Sequence, residues 1–342
     1  SDLSLNTIAQ DTTKEEGFIF TTVKENPITS VKNQNRAGTC WCYSGLAFIE
    51  SELLRMGKGE YDLSEMFIVR QKYLNQLEDN YYRGGNGNLG QGSLSHTWKN
   101  AFNQVGIVPE EVYHGINYNS EKHNHGEMVR YINALGNTAV KMKRRSAEYY
   151  KLINNLFDTY LGELPEKFTY KGKEYTPKTF AESLGINPDD YISLTSFTHH
   201  PFYTQMNIEI QDNWRNGLSY NLPLMEFMSV IDNAVNNGYT VAWGSDVSES
   251  GFTRDGIAVM PDADRGAELT GSDMARWTGL TAADKRKELT SRPLPEITVT
   301  QEMRQTAFDN WETTDDHGML IYGIAKDQNG KEYYMVKNSW GT

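Results

Sequence analysis

Apolar residues recur along this chain with two different periods, and the change of period divides it into helical and strand segments. From Trp41 onward, Leu46, Ile49, Leu53 and Met56 fall three or four positions apart. That is one face of a helix packed on a core, and it predicts a helix over 40–56 stopped by Gly57. Leu94, Trp98, Ala101, Phe102 and Val105 repeat the pattern after a glycine-rich stretch from Gly84 to Gly92. A basic helical stretch runs from Met128 to Tyr160, followed by a short hairpin, Thr169 to Tyr175, with Lys171-Gly172-Lys173 at its turn and then by polar loops. Pro223 opens another helix, with Leu224, Phe227, Met228, Ile231 and Val235 on one face and Asn236-Asn237-Gly238 closing it,. Tyr239 to Gly244 reads as a strand. The polar, charged excursion between Ser248 and Thr314 reads as a surface cover rather than a separate domain,.

Two apolar runs near the end, Met319–Ala325 and Tyr333–Val336, flank Asp327-Gln328-Asn329-Gly330. Asn-Gly between such runs predicts a β-hairpin. With Ala325 opposite Gly330 around a four-residue loop, His317 falls opposite Asn338, with Cβ atoms about 4.5–5.5 Å apart. The hairpin therefore sets an imidazole beside an amide.

Charge and cysteine usage narrow the classes. The 342 residues carry 33 Lys and Arg against 45 Asp and Glu, a formal net charge of −12, which argues against nucleic-acid partners because phosphate binding needs a basic surface. No run of 18 apolar residues is present, so no membrane span is expected,. Cys40 and Cys42, two positions apart, cannot staple a fold; this fits a reducing compartment without excluding export,.

The chemistry concentrates at Gln34-Asn35-Arg36-Ala37-Gly38-Thr39-Cys40-Trp41-Cys42-Tyr43. Cys40 sits at the mouth of the first predicted helix, where the helix dipole favours negative charge by roughly 0.3–1 kcal/mol and so favours the reactive thiolate. Cys42, two residues on, points about 200° away around the helix and reads as core.

Gln34-x5-Cys40-Trp41, then His317, then Asn338-Ser339-Trp340-Gly341, in that order, resemble the papain superfamily of cysteine peptidases. In that pattern the His follows the Cys by roughly 130–150 residues. Here it follows by 277 positions, so more than a hundred extra residues are inserted. Ala37 stands where secreted papains carry the first Cys of Cys-Gly-Ser-Cys-Trp, so the disulfide found there cannot form. A disulfide-free papain core with a large insertion is similar to the bleomycin hydrolase and aminopeptidase C branch. Leu89-Gly90-Gln91-Gly92, Val105-Gly106-Ile107-Val108-Pro109 and Trp243-Gly244-Ser245-Asp246-Val247 agree with it.

The resemblance implies an α+β, two-lobed fold, a helical lobe plus a β-barrel-like lobe, with a large and partly helical insertion. Residues 1–33 form a lead-in crossing between lobes, 34–114 the helical lobe, 115–220 the insertion and 221–342 the β-rich lobe. It implies Cys40 as nucleophile, His317 as base, Asn338 orienting the imidazole, Gln34 as oxyanion donor, and Trp340 shielding the His–Asn contact. Gly90, Gln91 and Gly92 form an edge for strand-like substrate pairing, with Trp41, Trp340 and Asp246 as further substrate-binding positions. Peptides are the expected substrates, the homohexamer of the branch the expected assembly and the cytoplasm the expected compartment, with an exported protein left open because the chain starts at Ser1. No metal and no cofactor are expected: His123-Asn124-His125 reads as a solvated loop and His199-His200-Pro201 as structural.

The branch continues past Asn-Ser-Trp-Gly, and its terminal segment blocks the cleft so that only an amino-terminal residue or two can enter. The sequence in hand stops at Thr342, which suggests truncation. An aminopeptidase is expected if a tail follows, and an open-cleft endopeptidase or mixed activity if none does. A transglutaminase-like enzyme is disfavoured because it uses Asp in the third role, and a silent protease-like binding protein because such chains lose the Cys or His.

Overall fold

The computed structural model describes residues 17–262 and 270–341. The first half of the 1–33 lead-in, seven residues of the 248–314 excursion and Thr342 lie outside the described residues. The chain forms two compact units: a larger one of Asn26–Ser245, Asp315–Tyr322 and the chain from Val336, and a smaller one of the residues before Asn26, Asp246–Thr314 and Gly323–Met335.

The larger unit is built on helix α1 (Cys40–Arg55). Leu46, Ile49 and Leu53 are fully buried on its apolar face, and Gly57 follows with φ 73°. A second long helix, α2 (Glu65–Tyr82), packs beside it, although the apolar pattern does not announce it. Arg70, Lys72, Gln76 and Asn80 are buried on that helix, and polar residues on the core face conceal the period. Ser64 starts it by accepting the Phe67 N–H. A 3₁₀ turn at Ser95–Thr97 leads into α3 (Trp98–Val105).

The basic stretch is two helices, α4 (Gly126–Met142) and α5 (Ala147–Leu161), packed on each other. Lys143 takes a left-handed φ of 54°, which breaks the helix, and Ser146 caps the next by accepting the Tyr149 N–H. Strands β2 (Phe168–Tyr170) and β3 (Lys173–Tyr175) form the expected hairpin, with positive φ at Lys171 and Gly172. Helix α6 (Pro177–Ser183) follows, opened by a Thr176 capping box. In place of the polar loops expected next, β4 (Leu194–Thr195), β5 (Gln205–Asn207) and β6 (Leu218–Asn221) make a small sheet in the order β4-β6-β5. Helix α7 (Leu224–Asn236) and strand β7 (Val241–Ser245) close this part.

Strand β8 (His317–Lys326) belongs to both units. Its first residues pair antiparallel with β7, Ser245 opposite His317 and Val241 opposite Ile321. Its last residues pair within the smaller unit with β1 (Thr21–Glu25), a strand inside the expected lead-in. Strand β9 (Glu332–Lys337) returns beside β8. The turn differs from the four-residue loop expected from sequence. Asp327 and Lys331 close it, and the Asp327 carboxylate accepts from the Asn329 and Lys331 N–H groups, so Ala325 is not set opposite Gly330.

The excursion in the smaller unit carries three short helices, α8 (Gly271–Gly279), α9 (Ala282–Leu289) and α10 (Gln301–Asp309). Each buries little more than one side chain, so no apolar period marks them. The architecture is an α+β papain-like fold.

Candidate active site

Cys40 is the first residue of α1, so its side chain stands at the positive end of a sixteen-residue helix with no acidic residue in the first turn,. His317 is the first residue of β8 and is buried. Both line one cavity, together with Trp41, Ser93, Ser95, Asp212, Gly244, Asp315 and Gly318. His317 Nε2 lies 2.5 Å from Asn338 Oδ1, just past the end of β9, and the Trp340 ring lies over the imidazole at 4.7 Å, tilted by 30°. The imidazole and the amide meet despite the altered turn, because the side-chain bond does not depend on the register at the hairpin tip.

Burial, the largest influence, pushes the Cys40 thiol up; the backbone N–H groups of Gly318 and Trp41 pull it back, and the Asp315 and Asp212 charges add to the rise. Burial lowers the His317 pKa, while the bond to Asn338 and the charge of Asp316 raise it. Each group alone is thus driven toward its neutral form by desolvation, and the two N–H donors on sulfur together with the Asn338 bond oppose that. Cys42 is fully buried, donates to the Glu65 carbonyl at 3.4 Å, and has its thiol pushed well up by burial.

Gln34 is buried and bonded at both ends of its amide. Nε2 donates to the Ala37 carbonyl at 2.9 Å, and Oε1 accepts from Ser339 Oγ at 2.5 Å. The segment from Gly90 to Gly92 is held from below. The Gln91 carbonyl accepts from Trp41 Nε1 at 3.0 Å and from Lys72 Nζ at 2.9 Å, the Gly90 carbonyl accepts from Lys72 Nζ at 2.8 Å, and Gln91 Oε1 accepts the Gly38 N–H. A Cβ on Gly92 would lie 2.5 Å from Asp212 Oδ1, so any larger residue there requires the Asp212 carboxylate to move. Trp41, 1 % exposed, supports this edge through Nε1 and also lines the cavity shared by Cys40 and His317.

The two carboxylate oxygens of Asp246 accept hydrogen bonds within its own unit, one from the Ser248 N–H and hydroxyl and the other from the Thr314 N–H and hydroxyl. His123 and His125 are buried rather than solvated; Tyr73 bonds His125 Nδ1 at 2.7 Å, and Arg36 exchanges backbone bonds with both residues, pinning the loop that precedes Cys40.

Lys72, Asp212, Asp315 and Gly318 escaped the sequence reading. Burial lowers the Lys72 pKa strongly against the pull of Asp212, and burial with the neighbouring aspartates pushes the Asp315 carboxyl up to about 7. The only sequence signal was Asp315-Asp316 directly before His317.

Two family models match the chain: "Peptidase C1-like family" over residues 100–265 and "Papain family cysteine protease" over residues 19–159. Fold, cavity and models define a cysteine-type peptidase of the papain superfamily. Within it, the chain is similar to aminopeptidase C proteins. It is 22% identical over 356 residues to aminopeptidase C of Lactobacillus delbrueckii subsp. lactis, covering 91% of this chain and 73% of that protein. It is also 22% identical over 376 residues to aminopeptidase C of Lactobacillus helveticus, covering 94% and 77%. The crystal structure of PepW from Lactobacillus rhamnosis HN001 superposes with a TM-score of 0.65 at 19% identity, covering 94% of this chain and 76% of that one, and supports the fold. Among the described residues no helix is long and apolar enough to cross a membrane.

Proposed function

We propose that the chain hydrolyses peptide bonds through Cys40, His317 and Asn338, by way of a thioester, and that its activity is that of an aminopeptidase. The observation that carries this reading is the shared cavity of Cys40 and His317, with the imidazole bonded through Nε2 to Asn338 Oδ1. That bond fixes the ring and leaves Nδ1 to take the thiol proton. The thiolate attacks the carbonyl carbon. The Cys40 N–H and the second hydrogen of the Gln34 amide meet the oxyanion, a donor of that kind being worth roughly 3–4 kcal/mol in the transition state. The C–N bond breaks as His317 returns the proton to the leaving amine, and water attacks the thioester with His317 as base to release the acid and restore the thiol. The edge at Gly90 and Gln91, braced by Trp41 and Lys72, presents backbone to an extended substrate.

The aminopeptidase assignment draws on the printed names of the two Lactobacillus relatives. Assembly into a hexamer and a cytoplasmic location follow from the branch and belong to the same proposal. A product map of a defined peptide, with free and with acetylated amino terminus, tests it. Release of the first residue only from the free form is expected, loss of all products in Cys40→Ala, and retained activity in Cys42→Ser. Internal cleavage of both forms overturns the aminopeptidase assignment, and activity in Cys40→Ala overturns the nucleophile.

A further inference from the structure

A group of nitrogen and oxygen donors lies apart from the catalytic residues, on the loops around β5 and β6. His199 Nε2 stands 2.5 Å from Glu209 Oε2, and His200 Nε2 stands 2.5 Å from Glu209 Oε1. The two rings have centroids 4.5 Å apart, and one donor atom from each of the three residues lies within 4.8 Å of the others. Two adjacent histidines ordinarily diverge. Here both turn their outer nitrogens onto a single carboxylate.

The backbone holds this arrangement from both sides. Asn221, fully buried at the end of β6, accepts the Phe197 N–H through Oδ1, and its Nδ2 donates to the carbonyls of Phe197, His200 and Pro201. The loop bearing both histidines is therefore fixed to the sheet by one buried amide. Glu209 leaves β5 in a short turn in which the Ile210 N–H bonds the Ile208 carbonyl, and Asn213 Nδ2 bonds Asn207 Oδ1 and the Ile208 carbonyl. Donor groups fixed in advance by the backbone around them lose little freedom when they bind an ion.

We propose that His199, His200 and Glu209 form a binding site for a divalent transition-metal ion, zinc in the first instance. Two imidazoles and one carboxylate are the donor types zinc takes in three-ligand sites, at about 2.0–2.2 Å from the metal. Tetrahedral coordination at those lengths sets donor atoms about 3.4 Å apart, so the 2.5 Å contact of whichever Glu209 oxygen binds opens by about an ångström, while the remaining donor separations already lie within 4.8 Å. The partial exposure of the cluster leaves the fourth position to water. The ion replaces the two ring protons now donated to Glu209, and the chain's net charge of −12 favours a cation. Glu209 lies three residues before Asp212, which lines the cavity of Cys40, so the ion clamps one end of the segment that reaches the cleft. This assignment stands independently of the peptidase reading.

The test uses the Cys40→Ser chain, so that the Cys40 thiol does not compete for metal. Zinc titration against a chromophoric chelator is expected to show one ion per chain. Cobalt is expected to give the intense visible bands of a tetrahedral site. His200→Ala and Glu209→Gln should each weaken zinc binding at least by the roughly 10–100-fold that even outer-shell partners of a metal are worth. Zinc should raise the thermal midpoint of the Cys40→Ser chain and not of either variant, and its affinity should fall on acidification as protons compete for the imidazoles. Failure of Cys40→Ser to bind zinc overturns the proposal, as does an isotherm unchanged in Glu209→Gln. Glu209→Gln keeps the size of the side chain and carries the test if His200→Ala does not fold.

Discussion

Asn338→Ala separates an orienting role from a purely structural one. The imidazole of His317 is 6 % exposed, and its Nε2 reaches Asn338 Oδ1 at 2.5 Å. Removing the acceptor strands a buried N–H at a cost of roughly 1–3 kcal/mol. If the ring must be held in that orientation for the proton to leave Cys40, the whole cost falls on the transition state, and kcat/KM drops roughly 5- to 150-fold. The pH profile moves as well. Burial lowers the His317 pKa and the Asn338 bond raises it, so without the bond the pKa falls further. The imidazolium is then lost at lower pH, and the limb of the kcat/KM profile that follows its deprotonation shifts toward acid. Asn338 Oδ1 also accepts the Ser339 N–H at 2.8 Å, so urea unfolding is measured alongside to count the share of the loss that is structural. A folded variant with the parent's kcat/KM and an unmoved profile refutes the orienting role.

Three further outcomes are expected. Gly318→Ala places a Cβ 2.7 Å from Ser44 Oγ and 3.2 Å from Ser95 Oγ beside His317; overpacking of this kind costs roughly 1–3 kcal/mol, and an unchanged urea midpoint contradicts it. Lys72→Met removes the donor to the Gly90 and Gln91 carbonyls, so KM should rise more than kcat falls, whereas a loss confined to kcat argues against a support of the substrate edge. The Asp315 carboxyl, pushed up to about 7 chiefly by burial, binds a proton in the folded chain that the unfolded chain has released above about pH 4. Its stabilising contribution is full below that value and is lost as pH rises through 7, so Asp315→Asn should flatten the fall in stability across that window, and equal slopes for variant and parent in denaturant titrations at several pH values count against it.

The parts of the candidate site legible in sequence are those with local causes. The α1 period, with Leu46, Ile49 and Leu53 on one face, places Cys40 at a helix start. The apolar runs around Asn329-Gly330 make a hairpin whose ends carry His317 and Asn338. Side-chain period and turn chemistry act over a few residues, so a single segment suffices to read them. The expectation of a large insertion rests on arithmetic between motifs. What escaped was decided by partners far along the chain. Helix α2 reads as polar because Arg70 and Lys72 are buried on it, and their partners lie far along the chain: the Asp158 carboxylate and the Asn154 and Gly162 carbonyls for Arg70, the Gly90 and Gln91 carbonyls for Lys72. The hydroxyls and N–H groups of Ser248 and Thr314 that surround the Asp246 carboxylate left no sequence signal, and the short helices between 271 and 309 bury too few apolar side chains to leave a period. Asp212 joins Cys40 in the cavity from more than a hundred and seventy positions away. Local pattern records which face of a segment avoids water; which buried polar group meets which partner is settled only when distant segments pack, because the desolvation cost of such a group is met by atoms that its own segment does not contain.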